Sequence, residues 1–232
     1  MKDSIGIIGG MGPMASQLFY KMVTEHTVAE KDQDHINMII LSDASMPDRT
    51  AAILSGNYEG PYRQLLEDAV LLEKCGCKAI GITCNTAHFF ADMIKDQIGI
   101  PIIHMIRETA ADTAGKCPGE LIGIMATDGT IKTGLYQTAL TEQGLRPFVP
   151  SEEIQREVMH QIYDRIKNGQ SYDADGWCRI EAEYRNAGCK KVILACTELS
   201  VIKTDEHLGN WYVDPMETLA RKVIQLAGRE YQ

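Results

Sequence analysis

The stretch Gly76-Cys77-Lys78-Ala79-Ile80-Gly81-Ile82-Thr83-Cys84-Asn85-Thr86 returns, altered, as Gly188-Cys189-Lys190-Lys191-Val192-Ile193-Leu194-Ala195-Cys196-Thr197-Glu198. Both copies open on Gly-Cys-Lys, run through an apolar segment of strand length, and close on a cysteine followed by polar residues. The offset is constant, from 76 to 188 and from 84 to 196, so the chain reads as a duplication in which each half ends a buried strand on a thiol.

Two further segments repeat in the same order. Gly6-Ile7-Ile8-Gly9-Gly10 resembles Gly123-Ile124-Met125-Ala126-Thr127, and residues 102–110 resemble 212–220, with Asp214 in the place of His104. Strand-like runs near 4–8, 36–41, 78–83, 100–103, 120–125 and 190–195 alternate with helix-period segments near 14–29, 61–75, 86–97, 106–115, 131–143, 151–167 and 174–187. This grammar predicts an α/β fold of two pseudo-symmetric lobes, each a mostly parallel sheet flanked by helices, with a site in the cleft between them. The expected division is 1–104 with 211–232 for the first lobe, the last strand and helix returning to complete it, and 105–210 for the second.

The chain has 232 residues and 44% hydrophobic content, ample for a core of that size. Its 32 acidic against 23 basic residues give a formal charge of −9, which opposes nonspecific attraction to nucleic acid or an anionic membrane surface. Seven cysteines without a Cys-x-x-Cys pair fit a reducing compartment. The first residues, MKDSIGIIGG (1–10), lack the basic region, apolar core and cleavage site of a signal peptide, and the expectation is a cytoplasmic protein.

In parallel sheets, ligands bind beyond the carboxyl ends of the strands, where helix N-termini point. Cys84 and Cys196 fall there, as do the loops 9–13, 42–50 and 127–130. Five other cysteines, at 75, 77, 117, 178 and 189, read as apolar filler or exposed side chains. For Cys84 and Cys196 the helix expected to follow supplies a partial positive charge that favours thiolate, and an acid/base role is the stronger reading. His88, four residues after Cys84, raises a metal site as a rival, but no cluster with zinc spacing accompanies it; His88 reads as packing or bonding within its helix.

The glycine stretch Gly9-Gly10-Met11-Gly12-Pro13-Met14-Ala15 satisfies Gly-x-Gly-x-x-Ala from Gly10, so a dinucleotide site is weighed against a loop that offers its amides to a carboxylate. Arg49 stands in the second loop, where its guanidinium grips a carboxylate or pairs at the surface with Asp48 or Glu59. Lys167 precedes Asn168-Gly169 and by itself reads as a helix-end cation. Glu198 places a negative charge beside Cys196, whereas Cys84 has neutral Asn85 and Thr86; this points to a resting state ionised at Cys84 and protonated at Cys196, against the alternative that Glu198 caps its helix or faces solvent.

At GIIGGMGP (6–13), MPDRT (46–50), CNTAH (84–88), the Thr127–Thr130 element, Lys167-Asn168-Gly169, CTE (196–198) and DPM (214–216), the chain resembles the cofactor-independent aspartate/glutamate racemase superfamily, and within it the aspartate racemase branch. The resemblance implies a cofactor-independent racemase of an acidic amino acid, aspartate favoured and glutamate allowed, with no pyridoxal phosphate, no metal and a homodimeric assembly. It implies Cys84 and Cys196 as the catalytic pair, Arg49 and Lys167 as carboxylate-binding cations, and Met11, Gly12, Asn85, Thr86, Thr127, Thr130 and Thr197 as neighbouring binding positions. The alternatives are another enzyme of that superfamily (a decarboxylase or a cis/trans isomerase), a nonenzymatic amino-acid-binding protein, and a nucleotide-dependent oxidoreductase.

Overall fold

Ile5–Gly9, the first strand β1, is buried at every position, which suits a strand of a parallel sheet covered on both faces. The computed structural model describes residues 3–232. The chain divides into two compact units, Met1–Met105 with Met216–Gln232, and Ile106–Pro215.

In the first unit β1 is followed by α1 (Pro13–His26), β2 (Met38–Ser42), α2 (Arg49–Ser55), α3 (Glu59–Lys74), β3 (Ile80–Ile82), α4 (His88–Ile94) and β4 (Ile102–Ile103). The strands lie in the order β2-β1-β3-β4, and every pairing is parallel. Pro13 starts α1, where its fixed φ suits the first turn and its missing N–H costs nothing. Ala15, Phe19, Met22 and Val23 line one stripe of that helix and pack with Ile5, Ile7 and the C-terminal helix Pro215–Leu226. Leu65, Ala69 and Leu72 of α3 cover the other face of the sheet against Ile8, Ile80 and Ile82.

The second unit repeats this plan. After α5 (Met105–Lys116) come β5 (Leu121–Ala126), α6 (Asp128–Thr133), α7 (Leu135–Glu142), β6 (Arg146–Phe148), α8 (Glu152–Met159), α9 (Ala174–Asn186), β7 (Lys191–Ala195), α10 (Thr197–Asp205) and β8 (Tyr212–Val213), after which α11 (Pro215–Leu226) returns the chain to the first unit. Its parallel sheet has the order β6-β5-β7-β8, the order of the first sheet. Ile106 and Ala110 of α5 pack on Ile122 and Ile124. Gly123 is required by a close approach: a Cβ there would meet Tyr184 Cδ1 at 2.5 Å, and the Tyr184 hydroxyl donates to the Ile124 carbonyl at 2.7 Å.

Four details differ from the sequence reading. Tyr212–Val213 stays with the second sheet, paired with Val192 and Ile193, and not with the first lobe as expected from the 211 boundary. Trp177 fixes it there, packing against the Tyr212 ring and donating to its hydroxyl at 3.1 Å; only the following helix enters the first unit's core. The loop 42–50 gives way to α2 at Arg49, because Asp48 caps that helix by accepting from Ala51 N at 2.6 Å. The segment 131–143 is two helices, broken at Gly134 with φ +69°. The strand β6 contains Pro147, which an edge strand tolerates. Among the described residues no helix is long and apolar enough to cross a membrane.

Candidate active site

In the first unit β1 and β3 are neighbours, with Ile8 beside Ile82. The loop carrying Met11 and Gly12 and the turn carrying Cys84, Asn85 and Thr86 therefore leave the carboxyl ends of adjacent strands. The glycines of this loop answer to close contacts. A Cβ on Gly9 would meet Ser16 Oγ at 2.4 Å, and Gly10, with φ +87°, lies against the backbone of Asp43. Ser16 Oγ accepts from Gly10 N at 2.8 Å, reaches Gly12 O at 3.2 Å and touches Thr83 Oγ1 at 3.3 Å. Ser16 thus ties the loop to the strand end that presents the thiol, a role only its place in the first turn of α1 hinted at.

Cys84 is 6% exposed, with Asn85 and Thr86 also buried. A turn of three residues separates it from α4, which starts at His88 rather than at the expected 86. His88, at the start of α4, bonds through Nδ1 to the Cys84 carbonyl at 2.8 Å and through Nε2 to the Met105 amide at 3.1 Å. Burial, and next the neighbouring His104, pull the His88 imidazole down to about 3, so it is neutral. His104 Nε2 lies 3.5 Å from Asp92 Oδ2. Arg49 is buried, and its Nη1 donates to the carbonyls of Met46 at 3.1 Å and Pro47 at 3.0 Å. Arg49 is thus held inside its loop rather than at the surface, and Glu59 pairs with Arg63.

In the second unit β5 and β7 are neighbours, Ala126 beside Ala195, so Thr127 and Cys196 leave adjacent strand ends as their counterparts do. Thr127 caps α6 and exchanges contacts with Thr130: its Oγ1 accepts from Thr130 N at 3.3 Å and donates to Thr130 Oγ1 at 3.2 Å. Gln155 braces this turn by donating to Ala126 O at 2.9 Å and Asp128 Oδ1 at 2.8 Å.

Cys196 is 7% exposed and is the N-cap residue of α10. Its thiol donates to Glu198 Oε2 at 2.9 Å, and Thr197 Oγ1 reaches the same oxygen at 3.5 Å. Glu198 is buried rather than turned to solvent, and Lys167 Nζ stands 3.9 Å from its Oε1 and 4.4 Å above the Tyr163 ring. Lys167 is carried by a π-helical turn, His160–Arg165, and a 3-10 turn, Ile166–Asn168, that end at Gly169 with φ +69°. That irregular turn aims the lysine at α10. Of the other thiols, Cys75 and Cys178 are exposed, and burial pushes Cys189 up to about 11. Among the described residues no three His, Cys, Asp or Glu side chains are gathered as metal ligands would be.

A family model described as Asp/Glu/hydantoin racemase matches residues 8–223. The chain is 26% identical over 226 residues to the broad specificity amino-acid racemase RacX of Bacillus subtilis (strain 168), covering 95% of this chain and 96% of that protein. Among solved structures it resembles the aspartate racemase of Picrophilus torridus, with a TM-score of 0.83, 29% identity, and 99% and 96% of the two chains covered. An aspartate racemase homologue from Pyrococcus horikoshii OT3 gives a TM-score of 0.75 at 26% identity, covering 98% of this chain and 100% of that one.

Proposed function

Because the chain belongs to the Asp/Glu/hydantoin racemase family of amino-acid racemases, we propose that it inverts the α-carbon of an acidic amino acid, aspartate in preference to glutamate, by proton exchange between Cys84 and Cys196. The observation that carries this reading is the repetition itself: in each unit a buried thiol follows the third strand of the same four-stranded sheet.

In the proposed reaction the Cys84 thiolate takes the α-hydrogen from one face. The C–H pair of electrons passes into the α-carboxylate, and the Cys196 thiol returns a proton from the opposite face. Cys84 is then a thiol and Cys196 a thiolate, the state that processes the other enantiomer. The carbanion is strongly basic, so donors must be set in advance where negative charge grows on the α-carboxylate. Asn85, Thr86, Thr127, Thr130 and Thr197 are assigned that work, with the backbone at Met11 and Gly12. Arg49 and Lys167 hold the side-chain carboxylate and give the preference for acidic substrates. No cofactor enters the scheme: the electron sink is the substrate's own carboxylate. The proposal extends to a homodimer, which the resemblance implies, acting in the cytoplasm, which the cysteine usage favours.

The test is to incubate each enantiomer of aspartate and glutamate in deuterated water and follow α-deuterium together with chiral composition. The proposal expects both aspartate enantiomers to reach a deuterated racemate, with glutamate slower. Loss of a carboxyl group, deuteration without inversion from either side, or no reaction with any of the four refutes it.

A further inference from the structure

His88 and Ser200 hold matched places, each one helical turn beyond its thiol residue, and each reaches the residue pair at which the last strand of its sheet gives way to the next helix. In the second unit Ser200 Oγ donates to Asp214 Oδ1 at 2.8 Å. In the first, the His88 ring lies tilted against His104, 4.8 Å between centroids and 60° between planes, while its two nitrogens bond the Cys84 carbonyl and the Met105 amide. Met105 is the last residue of the first unit before the chain passes to the second.

The difference between the two copies has a chemical reason. Position 105 corresponds to Pro215 in the repeat, and proline has no N–H. Only the first crossover carries a buried amide that needs an acceptor, and only there does the residue beyond the thiol have an acceptor nitrogen. The Met105 amide can only donate, so it selects the tautomer in which Nδ1 holds the proton and donates to the Cys84 carbonyl, with the Ile103 backbone a further neighbour of the ring. Both ring nitrogens are spent on backbone, so the ring is not itself an acid or base for substrate.

We propose that His88 is a positioning residue for the racemase reaction, a neutral imidazole strut that fixes the backbone of Cys84 against the crossover amide of Met105. This rests on the reading of Cys84 as a catalytic thiol. A strut of this kind sets where the sulfur stands relative to the α-carbon; a displacement of about 1 Å at a reacting group is enough to cost on the order of 100-fold in rate.

Two substitutions cut the same link from opposite ends. His88→Asn keeps a donor near the Nδ1 position but no longer reaches Met105, and Met105→Pro removes the amide at a helix start that accepts proline. Each variant, after its thermal melt shows it folded, is assayed in deuterated water with both aspartate enantiomers. The proposal expects inversion to fall by about ten-fold or more in kcat with little change in KM. It also expects washout of α-hydrogen to continue without inversion from one enantiomer only, the one Cys196 deprotonates, because Cys196 then reprotonates from its own side. The double variant should lose no more than the single ones. A folded variant of either kind with parental kcat and parental exchange-to-inversion ratio overturns the strut. Cys84→Ala is the control for the premise: if it still racemises aspartate, the thiol assignment fails and the strut falls with it, whereas an inactive Cys84→Ala beside unaffected His88→Asn and Met105→Pro rejects the strut alone.

Discussion

The Cys196 thiol donates to Glu198 Oε2 at 2.9 Å, so the sulfur of the second repeat faces a carboxylate, whereas Cys84 is followed by neutral Asn85 and Thr86. A carboxylate that accepts from S–H favours the protonated thiol and opposes a thiolate beside it. Cys84 should therefore react faster than Cys196 with iodoacetamide in the free protein at neutral pH, read by mass spectrometry of the labelled peptides. Glu198→Gln keeps an acceptor and removes the charge, and should speed labelling of Cys196 several-fold. Faster labelling of Cys196 in the parent protein contradicts this assignment.

Arg49 donates to two carbonyls of its own loop and is buried, with Lys167 beside Glu198 in the other unit. If both hold the substrate's distal carboxylate, Arg49→Ala should lower kcat/KM for aspartate by about 10- to 150-fold, the equivalent of a charged hydrogen bond of about 1.5–3 kcal/mol. Arg49→Lys should recover only part, because an ammonium lacks the planar fork. Lys167→Met should raise KM for aspartate. Steady-state kinetics with parental kcat/KM in Arg49→Ala and parental KM in Lys167→Met removes the cations from the scheme.

Burial first, then repulsion from Asp43, push the Asp68 carboxyl up from its ordinary 3.8 to about 6. Its Oδ2 has no hydrogen-bond partner among the described residues. An acid that holds its proton more tightly when folded makes the native state lose stability as pH rises from its unfolded value through its folded one, so the cost is complete above about pH 6. Asp68→Asn should match the parent in urea midpoint near about pH 4 and exceed it above about pH 7. Equal midpoints at the higher pH contradict the prediction.

Gly123 lies against Tyr184 and Val192, at 2.5 Å and 3.0 Å from an added Cβ. Gly123→Ala should destabilise by about 1–3 kcal/mol through overpacking. Tyr184→Phe removes the donor to Ile124 O and should cost about 1–3 kcal/mol by leaving a buried carbonyl without that partner. Chemical denaturation of both variants measures this, and a Gly123→Ala variant as stable as the parent would show that the ring can shift.

Much of this was legible in the sequence because each strand end sits in a repeated apolar run bounded by polar residues. Cys84 and Cys196, the loop at Gly9–Pro13 and the parallel sheets follow from that pattern. Other features depend on partners distant in sequence. The pairing of Tyr212–Val213 with β7 is decided by Trp177 and by the edge that Val192 offers. Pro147 and Arg146 hid β6, since polar or proline-bearing segments read as strands only once an edge position is known. Gly169 marked the helix end beside Lys167, but the π-helical turn before it changes register without a local signal. The tie of His88 to an amide seventeen residues away was beyond any local reading.

The most direct measurement removes one thiol at a time. Cys84→Ala and Cys196→Ala are each given L-aspartate and D-aspartate in deuterated water, and α-deuterium is followed beside optical rotation. The account predicts that neither variant inverts aspartate, that each exchanges the α-hydrogen of one enantiomer only, and that the two variants choose opposite enantiomers. Inversion by either variant, or exchange of the same enantiomer by both, would contradict a mechanism in which one cysteine of each repeat serves one face.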